Sequence, residues 1–233
     1  RREPNFFAME DEPPPAAAGR AHYEDVRKKA VTDLASYRAL FAGVAGERAV
    51  GEVSPFYLMH PRAPQRIRNH LPAVKLIAIL RDPIERAHSQ WVHETARGFE
   101  TLPFDEALRI EEERLGGHEQ LLADPSGRSF SHQHHSYAAR GQYATQIERL
   151  WSVFGRDRVL VLPSTRLFGD PASTYAQTLA FLGLAPFEAT YEVHNARSYS
   201  KIAPAEEAYL AEKFADSNER LVEMLGPDFD FRR

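Results

Sequence analysis

Val74-Lys75-Leu76-Ile77-Ala78-Ile79-Leu80-Arg81-Asp82-Pro83-Ile84-Glu85-Arg86-Ala87-His88-Ser89-Gln90-Trp91 is the stretch whose reading decides the fold. Its first seven residues are nearly all apolar, which predicts a strand covered on both faces, as in a parallel sheet. A helix start follows at once. Asp82 stands at the N-cap, Pro83 at the first helical position and Glu85 at the third, and Asp-x-x-Glu enclosing a proline is a helix-start signal. Ile84, Ala87 and Trp91 then share one face, and the helix is expected to run to about residue 97. Strand, tight turn and helix make half of a βαβ unit.

Outward from this unit the pattern repeats. Val159-Leu160-Val161-Leu162 predicts a second buried strand. A weaker strand is expected over 48–53, ended by Ser54-Pro55. Apolar spacing predicts helices over 23–41, 104–115, 137–154, 171–182 and 204–225, the last stopped by Gly226-Pro227. Residues 10–19 and 116–131, rich in Pro, Gly, Ser and Asp, read as loops. Strands alternating with helices point to an α/β fold, a three-layer sandwich with a central parallel sheet, and 233 residues suit one domain over 1–233.

Composition removes several functions. No cysteine is present, so disulfides, thiol catalysis and zinc–thiolate sites are excluded, in keeping with a reducing cytoplasm. A formal charge of −4 provides no field for nucleic acid. No apolar run approaches the ~20 residues of a membrane span. Arg1-Arg2-Glu3-Pro4 leads into no apolar signal segment, so a cytoplasmic protein is expected.

Arg81 falls at the carboxyl end of the first strand, where open α/β sheets bind their ligands. Its planar fork suits a phosphate, and the Ser89 hydroxyl lies less than two turns into the helix as a neutral donor to the same anion. Spacing alone equally admits a second reading, in which Arg81 pairs with a carboxylate and Ser89 is an ordinary surface serine.

Residues 75–91 resemble the 3′-phosphate-binding motif of sulfotransferases that use 3′-phosphoadenosine 5′-phosphosulfate (PAPS), most of all the heparan sulfate branch and its bacterial relatives. Arg2-Glu3-Pro4-Asn5-Phe6-Phe7 resembles the segment that carries the proposed catalytic glutamate. Gly51-Glu52-Val53-Ser54-Pro55-Phe56-Tyr57-Leu58 resembles a segment near the acceptor. Arg140-Gly141-Gln142-Tyr143, Phe181-Leu182-Gly183-Leu184 and the ending at Leu225-Gly226 follow in the family's order. The resemblance implies a P-loop-NTPase-like sulfotransferase fold, PAPS as donor and 3′,5′-bisphosphoadenosine (PAP) as product. It also implies Arg81 and Ser89 on the 3′-phosphate, with Glu3 as general base. Asn5, Phe7 and Ser54 are implied on the acceptor side, and Arg197, Ser198 and Tyr199 as a second nucleotide contact. The acceptor would be a hydroxyl-bearing carbohydrate, lipid or natural product, with no metal involved.

Departures from the family pattern are informative. A basic loop for the 5′-phosphosulfate is not found, and is expected upstream of Arg1. Asn195 and Ala196 replace a lysine and a glycine before Arg197, and Thr165 falls where glutamate is common. Val53 stands where a lysine is common and Asn5 where some members have histidine, which favours a smaller or different acceptor than an acidic polysaccharide. A P-loop kinase would need Gly-x-x-x-x-Gly-Lys-Ser/Thr, which does not occur. A non-catalytic module that binds PAP remains the alternative. Ser131-His132-Gln133-His134-His135 raises metal binding, but reads as a solvated loop; Glu111-Glu112-Glu113 reads as a solvated helix face.

Overall fold

Short apolar helices joined by capped turns build the first part of the chain in the computed structural model, which describes residues 3–11, 31–116, 122, 124, 129–191, 201–227 and 229–231. The chain forms two compact units, one from Arg1–Val74 with Gly117–Ser129, the other from Lys75–Gly116 with Phe130–Arg233.

The first unit contains α1 (Phe6–Met9), α2 (Leu34–Ala39), α3 (Phe56–Met59) and α4 (Ala63–His70). A four-residue helix is unstable alone. Ring burial sustains α1: Phe6 stacks on Tyr37 at 4.6 Å, and Phe7 meets Tyr37 and Tyr57 edge-on at 5.1 and 5.5 Å. The helix predicted over 23–41 is corrected in its described part. Asp33 is extended and its carboxylate accepts from Ser36 N at 2.8 Å, so a new helix starts at Leu34. No strand forms over 48–53; these residues, Glu52 excepted, are exposed, and no partner edge among the described residues takes their hydrogen bonds.

In the second unit β1 (Leu76–Leu80) pairs in parallel with β2 (Val159–Pro163), Leu76 opposite Val159 and Leu80 opposite Pro163. The expectation of cover on both faces is corrected: Leu80 is buried, whereas Ile77 and Ile79 are 39% and 48% exposed. Alternation along the strand puts these two on one face, which the described residues leave largely open. Between the strands lie α5 (Pro83–Ala96), α6 (Phe104–Arg109), α7 (Glu111–Leu115), α8 (Phe130–His134) and α9 (Tyr143–Phe154). The predicted helix over 104–115 breaks at Ile110, and that over 137–154 breaks at Gln142 after a 3-10 turn at Ala139–Gly141. After β2 come α10 (Ser164–Gly169), α11 (Pro171–Leu182) and α12 (Pro204–Leu225). Asp170 caps α11 through Ser173 N at 3.1 Å and Gly183, at φ 76°, ends it.

Ala87, Phe104, Ala107, Leu108, Tyr137, Leu210 and Phe214 form the core of this unit. Gly141 lies at its tightest point. A Cβ there would stand 2.5 Å from the Phe214 ring and 3.1 Å from Pro83 Cβ, so only glycine fits.

Candidate active site

The turn after β1 is fixed by its own residues. Asp82 Oδ1 accepts from Ile84 N and Glu85 N, both at 2.9 Å, and Pro83 needs no N–H partner at the first helical position. The cap leaves Arg81 at the carboxyl end of the strand, its side chain 40% exposed. Arg81 Nε and Nη2 both donate to Glu85 Oε2, at 3.1 and 3.0 Å. The carboxylate partner foreseen in the second reading is thus present. An exposed pair of this spacing contributes only about 0.3–0.5 kcal/mol, so a multiply charged phosphate can displace Glu85 at small cost. The half-buried Ser89 hydroxyl has no hydrogen-bond partner among the described residues. An arginine fork and a spare hydroxyl are chemically suited to an anion such as a phosphate. His88 is a packing residue beside them, its ring against Trp91 and Phe104. Burial pushes its pKa down, opposed by Glu206 and assisted by Arg81.

Behind this turn runs a layer of buried charge. Arg86 donates to Gln90 Oε1 at 2.7 Å and to Tyr137 O. Glu111, 3% exposed, accepts Ala138 N and Ala139 N at 2.7 and 2.8 Å. Burial raises its pKa, against the backbone donors and Arg86. Arg140 donates to Ser136 Oγ at 2.9 Å and to His132 O at 3.0 Å; burial and the nearby Arg86 bring its pKa down to about 10. Two expectations are corrected here. Glu111 is no solvated residue but the acceptor for the backbone that leads to Gly141. His132, His134 and His135 are all buried, and His134 Nδ1 lies 2.8 Å from Glu94 Oε2. Burial lowers the His134 pKa, against its pairing with Glu94; burial would raise that of Glu94, but the His134 hydrogen bond together with the charges of His134, Arg97 and His93 outweighs it. No group of His, Asp and Glu that could hold a metal occurs among the described residues.

In the first unit the segment around Glu3 is strained. Glu3 and Asn5 adopt φ of 54° and 53°, the left-handed region, which costs an L-residue about 1–2 kcal/mol and asparagine less. Long-range partners hold it there. Asn5 N donates to Ser54 Oγ at 3.1 Å, Phe7 N to the Tyr57 hydroxyl at 3.4 Å, and Asn5 Nδ2 to Glu3 O at 3.2 Å. Arg66 donates to the carbonyls of Phe7, Ala8 and Glu10 at 3.2, 3.2 and 2.9 Å, where α1 ends. Beside this turn lies a cleft of about 400 Å³ whose lining includes Pro4, Leu40, Phe41, Val44, Glu47 and Glu52.

Residues 56–218 match the sulfotransferase domain family. The chain belongs to the sulfotransferase family. A crystal structure of a sulfotransferase from Alicyclobacillus acidocaldarius superposes with a TM-score of 0.74 at 32% identity, covering 100% of this chain and 87% of that one. That likeness gives this sulfotransferase family member the P-loop-like α/β fold built on a parallel sheet. Among curated relatives, membrane-associated sulfotransferase kil1 of Dictyostelium discoideum is 21% identical over 82% of the chain and 55% of its own length. Heparan sulfate glucosamine 3-O-sulfotransferase 3B1 of Homo sapiens is 29% identical over 65% of the chain and 35% of its own length. The bifunctional heparan sulfate N-deacetylase/N-sulfotransferase 4 of Mus musculus is 30% identical over 58% and 14%. The chain therefore spans about half or less of these curated relatives.

Within the family frame, the residues singled out by sequence fall into three groups. Arg81 lies in the β1–α5 turn and Ser89 within α5. Glu3, Asn5, Phe7 and Ser54 gather in the first unit, where Glu3 is exposed and Asn5 bonds Ser54 directly. Phe7 is 2% exposed, so its ring packs the core and only its backbone faces the turn. Arg197, Ser198 and Tyr199 lie outside the described residues. Sequence reasoning missed Arg66, Glu52 and Tyr57 as supports of the Glu3 turn. Glu52 and Tyr57 flank Ser54 in one motif, a signal that was legible; Arg66 has no such marker.

Proposed function

We propose that this chain transfers the sulfuryl group of PAPS to a hydroxyl of an acceptor, releasing PAP. The observation that carries the reading is the turn after β1. It sets a half-exposed guanidinium at the carboxyl end of a parallel strand, with a spare hydroxyl farther along the helix that follows, within the segment matched to the sulfotransferase domain. Bound PAPS supplies the sulfuryl group. Arg81 and Ser89 hold its 3′-phosphate by charge-assisted and neutral hydrogen bonds, and Arg197, Ser198 and Tyr199 add a second nucleotide contact. Glu3 takes the acceptor's hydroxyl proton as that oxygen bonds to sulfur and the donor's sulfur–oxygen link to phosphate opens. The scheme uses no metal.

Asn5 and Ser54 serve the acceptor side, Phe7 through its backbone. The cleft beside Pro4 favours a small acceptor with an apolar body over an acidic polysaccharide, since Glu47 and Glu52 are its only ionisable lining residues among the described residues. A neutral carbohydrate, a lipid alcohol or a natural product fits that lining, and the names of the heparan sulfate relatives support the carbohydrate. The family match includes segments of both units, which supports one sulfotransferase domain over 1–233. A reducing cytoplasmic setting suits a chain without cysteine. Among the described residues no helix is long and apolar enough to cross a membrane.

Calorimetry with PAP, beside a radiolabelled sulfate-transfer assay over a panel of neutral alcohols and desulfated heparan, tests this reading. Arg81→Ala should weaken PAP binding by roughly 10- to 100-fold, the value of a hydrogen bond to a charged group. Glu3→Gln should bind PAP normally and lose about 10²- to 10⁴-fold in turnover. Wild-type PAP affinity in Arg81→Ala, or near-normal turnover in Glu3→Gln, removes the corresponding assignment. Binding by the wild type with no transfer leaves a PAP-binding module in place of an enzyme.

A further inference from the structure

The Glu3 turn is held by two hydroxyls, and one of them answers to a carboxylate. Ser54 is buried; its hydroxyl donates to Glu52 Oε2 at 2.8 Å. A hydroxyl carries a single proton. With that proton committed to Glu52, Ser54 can present only lone pairs elsewhere, and one of them receives Asn5 N–H. The Tyr57 hydroxyl receives Phe7 N–H beside it. Glu52 thus sets the direction of the Ser54 hydroxyl. It also lines the cleft together with Pro4, the residue between Glu3 and Asn5. The two gripped amides bracket the entry to α1, directly after the left-handed residues Glu3 and Asn5.

We propose that Glu52 is a positioning residue for Glu3: through the Ser54 hydroxyl it locks the left-handed turn and fixes where the Glu3 carboxylate stands. The inference rests on the reading of Glu3 as general base. It assigns a role to the acidic residue of the Gly51–Tyr57 motif that is separate from contact with the acceptor. Misplacement of a catalytic group by about 1 Å can cost on the order of 100-fold in rate, so the lock has catalytic weight even though Glu52 touches no reacting atom.

The test uses the full chain and reads sulfate leaving radiolabelled PAPS in the presence of octyl β-glucoside, which counts transfer to the sugar or to water. Amide hydrogen exchange at Asn5 and Phe7 is followed in parallel and needs no acceptor. Ser54→Ala should lower kcat roughly 10-fold and Glu52→Gln roughly 10- to 100-fold, with KM for PAPS and PAP affinity unchanged. Combining the two should cost no more than Glu52→Gln alone, because both break one path. Ser54→Thr, which keeps the hydroxyl, should restore kcat and amide protection. Multiplicative losses, wild-type protection of Asn5 and Phe7 in Ser54→Ala, or PAP affinity falling in step with kcat would overturn the proposal. If Glu52→Gln is inactive while Glu3→Gln turns over normally, Glu52 is itself the base and the Glu3 reading fails. A dead Glu3→Gln beside an unimpaired Glu52→Gln sinks the positioning role alone.

Discussion

The turn at Arg81 and the turn at Glu3 each present, at the entrance of a helix, one side chain with a proposed role, yet opposite means hold them. At Arg81 the cap is local: the Asp82 carboxylate serves the amides two and three residues on, and Pro83 presets its own backbone. At Glu3 the restraints come from far along the chain. Asn5 N and Phe7 N reach side chains 49 and 50 residues away, and Arg66 spans 56 to 59 residues to cap α1. A locally capped turn forms with its helix and tolerates changes elsewhere. A remotely held turn inherits the stability of everything between its partners, and can store backbone strain only while they stay in place.

Removing Arg66 should have the largest effect on that contrast. Arg66→Ala frees three carbonyls and the Glu10 carboxylate, and should destabilise the first unit by about 3 kcal/mol in denaturant unfolding. Sulfate transfer should collapse while PAP still binds; parallel loss of PAP affinity would show that the two turns are not independent. Glu100 combines both kinds of restraint. It accepts Thr101 N and Leu102 N locally, and Arg114 and Tyr137 from a distance. Burial alone would raise its pKa, but Arg114 and the other donors outweigh it and bring it to about 2. A carboxyl depressed in the folded state stabilises above its unfolded pKa, so this contribution, on the order of 3 kcal/mol, should fade between about pH 5 and pH 2. Acid unfolding of Glu100→Gln should start from lower stability and slope less across that window; an unchanged slope would refute the shift.

Smaller effects belong to the local turn. Asp82→Ala should cost about 1 kcal/mol, the value of an N-cap, and weaken PAP binding only modestly. A loss of several kcal/mol would mean that the turn is not locally held. Glu85→Ala should do least, tightening PAP binding about twofold in calorimetry by freeing Arg81 from an exposed pair. Weaker binding would show that Glu85 orients the guanidinium instead of competing for it.

The same contrast explains what was legible in the sequence. Asp82, Pro83, Pro171 and Gly183 mark helix ends by chemistry that acts within a few residues, so the starts of α5 and α11 and the end of α11 fell where expected. α8 starts at Phe130, inside the end of the loop expected over 116–131, most of which lies outside the described residues. The strand expected over 48–53 failed because tertiary partners decide it. Glu111 shows this best: three consecutive glutamates look solvated, yet the backbone at Ala138 and Ala139 claims the first of them. The exposed face of β1 is equally unreadable from seven apolar residues, since periodicity cannot say which neighbours arrive. Arg81, Ser89 and Glu3 were singled out by ordered motifs, whereas Arg66, which has no motif, emerged only once its carbonyl partners were in place.

Gly141 adds a condition of timing. Pro83, which opens the helix after Arg81, and Phe214, deep in the final helix, both press against this glycine. Synthesis runs from the amino end, so the Arg81 turn leaves the ribosome long before Phe214 exists to close the contact. Local capping lets α5 form early, but its seat stays unfinished until the last helix docks. A chain halted before residue 214 would carry every donor assigned to the 3′-phosphate in the β1–α5 segment and still lack the wall that holds Pro83 in place.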